Sequence, residues 1–463
     1  MPILGELSYG LVATVFALSI AYLSRLSIFR FRKAWLSFAS GIISITRTKL
    51  NPFIYLFRGA DMIHEGYLKS NGEPFIINTP GKKNVMVTSR QHIREINAAP
   101  NHILSLHAVA KDFLQPKYTM HGFVWKDQRG IEGVGFLVTK CNAIVFFGPE
   151  LSNNQVFLDA ALSFPQDCFI AAEILRILPS RIASIFAWCA TRRYRSSTTL
   201  YNFLIEVVRR RLDQNETCGS EKASDGIQWL IDTSPKRANW TAERLVGEIM
   251  AIWYGSVHTL SIATTYALLD LYSHPEYIEP LREEVEGPSF AEFARDSQGL
   301  PLLDSFLKES ARLSAFESTG IRREVLQPFT ISGGLSLAPG DWICVPHRSM
   351  MRDPANFADP LTFNAFRSVG EAVNRDSASA NTTTKTGLTD SSDSWLVWGA
   401  GRILCPGRFY ATVVLKLVVA HLITEYDIVL PESKTARSMQ WRSAVIPKPS
   451  VVLLVRPKTK TKT

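Results

Sequence analysis

The stretch WLVWGAGRILCPGRFY, residues 395–410, constrains the fold of this chain more than any other part of the sequence. It places Cys405 among closely spaced glycines, between two apolar runs. A free cysteine that is only buried packs as a small hydrophobe and needs no such neighbours. Glycines let the backbone approach a flat group closely, and backbone N–H groups aimed at a sulfur tune a metal-bound thiolate. The stretch therefore favours a loop that presents a thiolate to the metal of a flat macrocycle.

The spacing of this stretch, [FW]-G-x-G-x-x-x-C-P-G-R, resembles the signature of the cytochrome P-450 family, the haem-thiolate monooxygenases. The resemblance implies haem b as the cofactor, with the Cys405 thiolate as the axial ligand of its iron. A thiolate ligand pushes electron density towards the iron and favours O–O cleavage. The resemblance also assigns to the haem site the residues Trp398, Gly399, Gly401, Arg402 and Gly407.

Two further motifs follow in the order that the family has. The sequence KESAR holds Glu309 and Arg312 as an E-x-x-R pair, a spacing that ordinary helix surfaces also show. The sequence DPANFADPLTFNAFR ends in Arg367. By resemblance, these three side chains form a buried ion network under the haem loop, and such a network must be fully paired to be tolerated.

The sequence IMAIWYGSVHTLSIATTYALL, from Ile249 to Leu269, predicts a central helix, because it is apolar on all sides. Within it, GSVHTLS resembles the family's oxygen-activating stretch. Thr259 takes the position of the threonine that relays protons to bound O₂, and His258 stands where an acid is more usual. A structural alternative stays open for each residue. The Thr259 hydroxyl only bonds back to the preceding helical turn, and His258 only packs or forms a hydrogen bond.

The two haem propionates need cationic or hydrogen-bonding partners. Arg322 or Arg323, which follow the E-x-x-R motif, are candidates by resemblance. The family often has His or Arg two residues before the cysteine, where this chain has Ile403. One propionate contact must therefore come from elsewhere in the chain.

Residues 136–154, FLVTKCNAIVFFGPELSNN, look shortened beside the family. The resemblance implies two more helices before CNAIVFFGPEL, one of which brings basic or aromatic side chains to a propionate. A marginal helix needs about ten to fifteen residues, so both helices do not fit. The sequence WKDQR, with Trp125 and Arg129, has suitable side chains but lies before the expected place. We therefore predict that this chain retains haem weakly and has low activity.

Composition excludes several other classes of protein. The net charge of +9 comes without a basic run interleaved with aromatic residues, which argues against nucleic acid as a partner. The basic side chains of Arg402, Arg408 and Lys416 instead suit an acidic partner protein. The six cysteines are scattered and no pair has CxxC spacing, which argues against structural zinc and a disulfide framework.

The N-terminus predicts a membrane anchor. Leu7 to Ser24 carries no charge and spans about 27 Å as a helix, close to the apolar thickness of a bilayer. Arg25, Arg30, Arg32 and Lys33 follow at once. Basic flanks stay cytoplasmic, and no small-residue cleavage site is present. We expect residues 1–33 to form a single-pass anchor in the endoplasmic reticulum, with residues 34–463 as the catalytic domain in the cytosol.

The rest of the chain predicts a mainly α fold with a small β portion, and the resemblance implies the cytochrome P-450 fold. Residues 34–100 indicate a linker followed by short strands, and residues 322–347 alternate as strands do. Helical patterns run from about Thr241 to Tyr272 and from Arg408 to Tyr426. Residues 368–394 are rich in small polar residues and predict a polar loop.

The resemblance implies a monooxygenase that uses O₂ and electrons from an NADPH-dependent flavoprotein reductase. The anchor and the apolar central helix favour a small apolar substrate. The stretches HPEYIEPLREEV and FLQPKYTMHGF resemble filamentous-fungal oxidases of secondary metabolism, which act on terpenoids and meroterpenoids. Two alternatives stay open: a redox-neutral haem-thiolate isomerase or dehydratase, and a degenerate haem protein with little activity.

Overall fold

The computed structural model of the chain describes residues 35–119, 139–176, 178, 180–216, 222–234, 240–369, 387–432, 436–448 and 450–458. It divides the chain into two compact units, Met1–Pro52 and Phe53–Thr463. The predicted anchor, residues 1–33, lies outside the described residues. Within the part of the chain that the structure describes, none of the helices combines the length and hydrophobicity that a membrane span requires.

Helices make up most of the described chain. In order they are α1 Trp35–Ser70, α2 Arg90–Ala98, α3 Leu106–Leu114, α4 Pro116–Thr119, α5 Thr139–Ser152, α6 Gln155–Leu175, α7 Ser180–Ala190, α8 Arg195–Glu216, α9 Gly226–Thr233, α10 Ala242–Ser273, α11 Ile278–Glu286, α12 Pro288–Asp296, α13 Pro301–Leu313, α14 His347–Met350 and α15 Arg408–Glu425. Short 3₁₀ turns cover Pro275–Tyr277 and Gly401–Ile403.

The strands are short. They are β1 Phe75–Thr79, β2 Lys82–Met86, β3 Leu104–Ser105, β4 Gly320–Val325, β5 Phe329–Thr330, β6 Ser336–Leu337, β7 Trp342–Val345, β8 Tyr426–Val429, β9 Ser438–Trp441, β10 Ala444–Pro447 and β11 Leu454–Pro457. The sequence therefore predicted the fold class correctly as mainly α with a small β portion.

Helix α10 is the centre of the described helical body. Thr241 caps its N-terminus, where the hydroxyl accepts a hydrogen bond from the backbone N–H of Arg244 at 3.3 Å. Its first half packs in a core with helices α5, α6, α8 and α9, and the Trp253 indole donates to the Ala161 carbonyl at 2.7 Å. Its second half packs in another core with α11, α12, α13 and α15. A helix that serves two cores is apolar on most sides, which is the pattern the sequence shows.

A five-stranded sheet in the order β1-β2-β7-β4-β3 joins distant parts of the chain. Strand β2 pairs in parallel with β7, and β4 pairs with β7 antiparallel, so that Val85 and Arg323 both lie beside Ile343. Strand β4 leaves the end of the E-x-x-R helix α13 directly. Farther along the chain, β9 and β10 form a two-stranded hairpin whose turn holds Arg442 and Ser443.

Residues 34–100 contain more helix than the sequence predicted. Strands β1 and β2 do form there, but α1 occupies residues 35–70 and α2 follows the strands. The sequence predicted a linker here, yet Gly59 and Gly66 lie inside α1 at points of close packing. A Cβ on Gly59 would come within 2.1 Å of the Arg442 carbonyl oxygen, and one on Gly66 within 2.6 Å of the Phe75 ring.

Two other segments bear on the sequence predictions. Of the polar loop predicted at residues 368–394, residues 387–394 are described without a helix or strand, and 370–386 lie outside the described residues. Of the segment predicted to be shortened, residues 139–152 form α5, which is interrupted at Gly148 with φ of +73°. Trp125 and Arg129 lie outside the described residues.

Candidate haem-thiolate site

The loop before α15 folds back on itself around Cys405. The Cys405 backbone N–H donates to the Trp398 carbonyl at 2.8 Å. Gly399 and Gly401 have φ of +81° and +66°, a region that side chains with a Cβ rarely adopt. A Cβ on Gly401 would also come within 2.8 Å of Asn97. The glycines of the motif are therefore required by the backbone path, which brings the loop against helix α2.

Burial and backbone N–H groups set the properties of the Cys405 sulfur. Burial raises the pKa of the Cys405 thiol, whereas the N–H groups of Gly407 and Arg408 and the Arg408 guanidinium act to lower that pKa. These donors come from the beginning of α15, where the helix dipole also favours negative charge. The arrangement suits a thiolate whose remaining stabilisation comes from a bound cation.

An apolar cavity of about 370 Å³ opens beside this sulfur. One wall is the cysteine loop with the beginning of α15, and the others come from α10, from α13 and from the segment that leads into β4. The residues that line the cavity include Gly255, Thr259, Ile321, Trp398, Cys405 and Ala411. Gly255 presents no Cβ, and nothing would meet one within 4 Å. The cavity is therefore unobstructed at Gly255.

Of the two candidate catalytic residues, Thr259 lines this cavity and His258 does not. The Thr259 hydroxyl donates to the Gly255 carbonyl one turn earlier, at 3.1 Å. This is the back-bonded arrangement that the sequence left open as an alternative. Burial lowers the pKa of His258, so its imidazole is neutral near pH 7.

The structure brings Glu309, Arg312 and Arg367 together in one ion network. The Arg312 Nε and one terminal nitrogen each donate to a Glu309 oxygen at 2.8 Å. The Arg367 Nε donates to both Glu309 oxygens at 3.2 Å. The other terminal nitrogen of Arg312 donates to the carbonyls of Met351 and Pro360 at 2.7 Å. Each charge is paired and buried, as a tolerable buried network requires.

The arginines assigned to the haem by resemblance lie outside the cavity lining. Arg402 donates to the Ala99 carbonyl at 2.8 Å and so caps the end of α2. Arg322 binds the Glu317 carboxylate and the hydroxyls of Thr319 and Ser443.

Arg323 differs from its neighbour Arg322. It is 3% exposed, and within the described part of the chain one of its terminal nitrogens donates to the Arg322 carbonyl at 2.8 Å. Burial lowers the pKa of Arg323 to about 10. A buried cation without a carboxylate partner is the better candidate of the two for a propionate.

Sequence reasoning missed two side chains of the cavity wall, His347 and Glu317. The His347 Nε2 donates to the Glu317 carbonyl at 2.7 Å, and burial lowers the pKa of His347 to about 4. His347 also packs against Gly320, where a Cβ would come within 2.4 Å of its Nδ1. No local pattern marks His347, because its place in the wall depends on the pairing of β7 with β4.

Comparison with known proteins agrees with this geometry. The family model for cytochrome P450 matches residues 154–455. Cytochrome P450 monooxygenase olcJ of Penicillium canescens is 29% identical over 348 residues, 72% of this chain and 64% of that protein. Cytochrome P450 monooxygenase AtmP of Aspergillus flavus is 28% identical over 483 residues, 89% of each. Ent-kaurene oxidase of Gibberella intermedia is 30% identical over 329 residues, 69% of this chain and 60% of that protein. This chain thus spans less than two thirds of olcJ and of the ent-kaurene oxidase.

Solved structures show the same fold. The haem domain of cytochrome P450DA superposes with a TM-score of 0.63 at 15% identity, over 88% of this chain and 95% of that one. The retinoic acid-bound cyanobacterial CYP120A1 gives a TM-score of 0.60 at 15% identity, over 87% and 97%. The family match covers more than half of the chain and includes the cysteine loop, the central helix and the ion network. The chain belongs to the cytochrome P450 family.

Proposed function

We propose that this protein is a haem-thiolate monooxygenase that oxidises an apolar small molecule. The observation that supports the proposal is one apolar cavity that is lined both by Cys405 and by Gly255 and Thr259 of α10. Haem b fits these residues, because the cavity is apolar, one wall is free of Cβ atoms at Gly255, and the sulfur lies among N–H donors. When bound there, haem b would supply activation of O₂ and insertion of one oxygen atom into a C–H bond.

The residues of this chain then have separate tasks. Cys405 would hold the iron through Sγ, and the N–H groups of Gly407 and Arg408 would keep negative charge on that sulfur. Trp398 is fixed by its indole N–H, which donates to the Leu388 carbonyl at 2.6 Å, so its ring excludes water from the sulfur side. Arg323 is our candidate partner for a propionate. Gly401 and Arg402 would act through the shape of the loop.

Thr259 is the proposed proton relay. Its Oγ1 holds a proton that now points at the Gly255 carbonyl. Rotation of the side chain would turn that hydroxyl towards the cavity, where it would hold a proton for transfer and would regain one from water. His258 is neutral near pH 7, since burial lowers its pKa, and it would take part only as a hydrogen-bonding neighbour.

For the substrate we propose a terpenoid or meroterpenoid intermediate of fungal secondary metabolism. The support is the apolar cavity wall and the likeness to ent-kaurene oxidase, whose name gives a terpene hydrocarbon as its substrate. A hydrocarbon of this kind has few polar groups, so burial of apolar surface would supply most of its binding free energy.

For the electron source we propose an NADPH-dependent flavoprotein reductase that docks on the cysteine side. Arg402 is exposed there, which suits an acidic partner. Lys416 does not serve this purpose as the sequence predicted, because it is 5% exposed and its Nζ lies 2.7 Å from Asp304. For location we propose that residues 1–33 anchor the protein in the endoplasmic reticulum membrane, with the catalytic domain in the cytosol.

The carbon monoxide difference spectrum of the reduced protein tests the proposal. The wild-type protein should show the red-shifted band of thiolate-bound haem, and Cys405→Ser should lose it. Cys189→Ser is the matched control, because Cys189 is exposed and remote from the cavity lining. A Cys405→Ser protein that keeps the red-shifted band would show that another cysteine is the ligand. A wild-type protein that binds haem without that band would overturn the proposal.

A further inference from the structure

A second, much smaller cavity lies behind the Arg322–Glu317 ion pair. It encloses about 50 Å³ between α1, α6, the sheet and the turn of the β9–β10 hairpin. That is room for a chemical group the size of one or two water molecules, at about 30 Å³ per water molecule. Glu317 lines both this cavity and the 370 Å³ cavity, so the Glu317–Arg322 pair is their shared wall.

The charged side chains that line the small cavity are more positive than negative, and Asp112, just outside the lining, is a further carboxylate that interacts with Arg176 and Arg442. Its lining residues include three arginines and two glutamates: Arg176, Arg322, Arg442, Glu173 and Glu317. Glu317 is bound by Arg322 and by the Ser443 hydroxyl. Glu173 accepts from Arg176 at 2.9 Å, from the Trp441 indole at 2.7 Å and from the Arg442 Nε at 2.6 Å. One positive charge of the described lining is left without a carboxylate in that lining.

That surplus charge lies on Arg442. The residue is 4% exposed, and both of its terminal nitrogens are buried without a hydrogen-bond partner among the described residues. Burial and then the Arg442 guanidinium lower the pKa of Arg176, so the two cations lie close enough to repel. A charged group that is buried with unpaired N–H groups is unfavourable unless a ligand accepts hydrogen bonds from them.

The backbone holds Arg442 in this place at some cost. Its φ is +54°, a conformation that is unfavourable by about 1–2 kcal/mol for a residue with a Cβ. Its N–H donates to the Leu56 carbonyl at 2.8 Å, and its own carbonyl lies against Gly59, where a Cβ would not fit. The turn is therefore fixed on α1, and the guanidinium is kept inside the cavity.

Within the described residues, the two unpaired terminal nitrogens of Arg442 indicate the chemical class of the ligand. With Nε occupied by Glu173, the two terminal nitrogens of Arg442 form a planar fork that matches the two oxygens of a carboxylate. We infer that this cavity binds a carboxylate group through Arg442. The carboxylate belongs either to a small free anion or to an apolar ligand whose body extends past Glu317, and only this second form rests on the proposed function.

Binding of three probes to the purified full-length protein tests the inference: acetate, dodecanoate below its micelle concentration, and dodecan-1-ol. Calorimetry and the fluorescence of Trp441 and Trp342, which line the cavity, report binding without haem or turnover. The wild-type protein should bind dodecanoate at least about ten-fold more tightly than dodecan-1-ol, since a charge-assisted hydrogen bond contributes about 1.5–3 kcal/mol. Acetate that binds as tightly as dodecanoate would assign the site to a free anion, and tighter dodecanoate binding would assign it to a ligand with an apolar body.

Three variants locate the effect. Arg442→Gln should remove the preference for the carboxylate. Arg442→Lys keeps the charge but lacks the fork, so it should retain only part of the preference. Arg456→Gln makes the same charge change at an arginine side chain that is 81% exposed, and it should bind like the wild-type protein. Equal binding of dodecanoate and dodecan-1-ol to the wild-type protein, together with no acetate binding that Arg442→Gln removes, would overturn the inference. A missing thiolate band with intact carboxylate binding would instead count against the proposed function alone.

Discussion

Glu309→Gln measures how strongly the ion network holds the fold together. The Glu309 carboxylate is 2% exposed and accepts from two arginines, whose side chains are 2% and 11% exposed. It also accepts from the Asn364 N–H at 3.1 Å. An amide in its place would leave both guanidinium groups charged and buried without a counterion. Loss of one partner from a buried pair costs about 3–5 kcal/mol, so we expect a loss of that size in the free energy of unfolding.

The chain contains its own control. Glu279 and Arg282 have the same E-x-x-R spacing as Glu309 and Arg312, but the Glu279 side chain is 63% exposed. Exposed pairs contribute at most about 1 kcal/mol, so Glu279→Gln should change stability little. The assay is equilibrium unfolding in urea, followed by circular dichroism, with the free energy taken from its linear dependence on urea. If Glu309→Gln and Glu279→Gln lost the same free energy, the burial argument would be wrong.

Three further predictions concern the haem site and the anchor. Thr259→Ala should keep haem and substrate binding but release more hydrogen peroxide per NADPH, because loss of a proton relay slows productive O–O cleavage; unchanged coupling of NADPH to product would make Thr259 structural. Deletion of residues 1–24 should move at least part of the protein from the membrane to the soluble fraction without loss of haem, and full retention in the membrane would assign attachment to other apolar surface. The protein of this sequence should purify with low haem occupancy and low turnover, because residues 136–154 leave no room for two helices; near-full occupancy with normal turnover would contradict this.

Contacts that are local in sequence could be predicted. The cysteine loop is one example, because its glycines, its sulfur and the N–H donors of α15 lie within a few residues of one another. Helix α10 is another, since Thr241 marks its beginning and an apolar run fills both cores that it serves. Burial of the E-x-x-R pair could be inferred only together with Arg367. The spacing alone is not enough, because the exposed pair Glu279 and Arg282 has the same spacing.

Contacts that depend on strand pairing could not be predicted. Arg322 and Arg323 are adjacent, and neighbouring residues of a strand face opposite ways. Which of them is free for a propionate depends on Glu317 and Ser443, and Ser443 belongs to a hairpin far along the chain. The same applies to His347, whose position in the cavity wall follows from the β4–β7 pairing.

The prediction of a linker before the first strands was wrong, because α1 occupies residues 35–70. Two of its glycines, Gly59 and Gly66, allow other parts of the chain to approach the helix. Gly59 receives the carbonyl of Arg442, and this contact fixes the one turn whose arginine enters the small cavity. A glycine that allows close approach and a glycine that allows flexibility look the same in a sequence. Only the group that packs against the glycine distinguishes the two cases. Gly59→Ala should therefore displace the Arg442 turn more than it disturbs α1, and it should weaken dodecanoate binding while helix content, measured by circular dichroism, stays unchanged. Loss of helix content with unchanged dodecanoate binding would show that Gly59 acts within α1 and does not position Arg442.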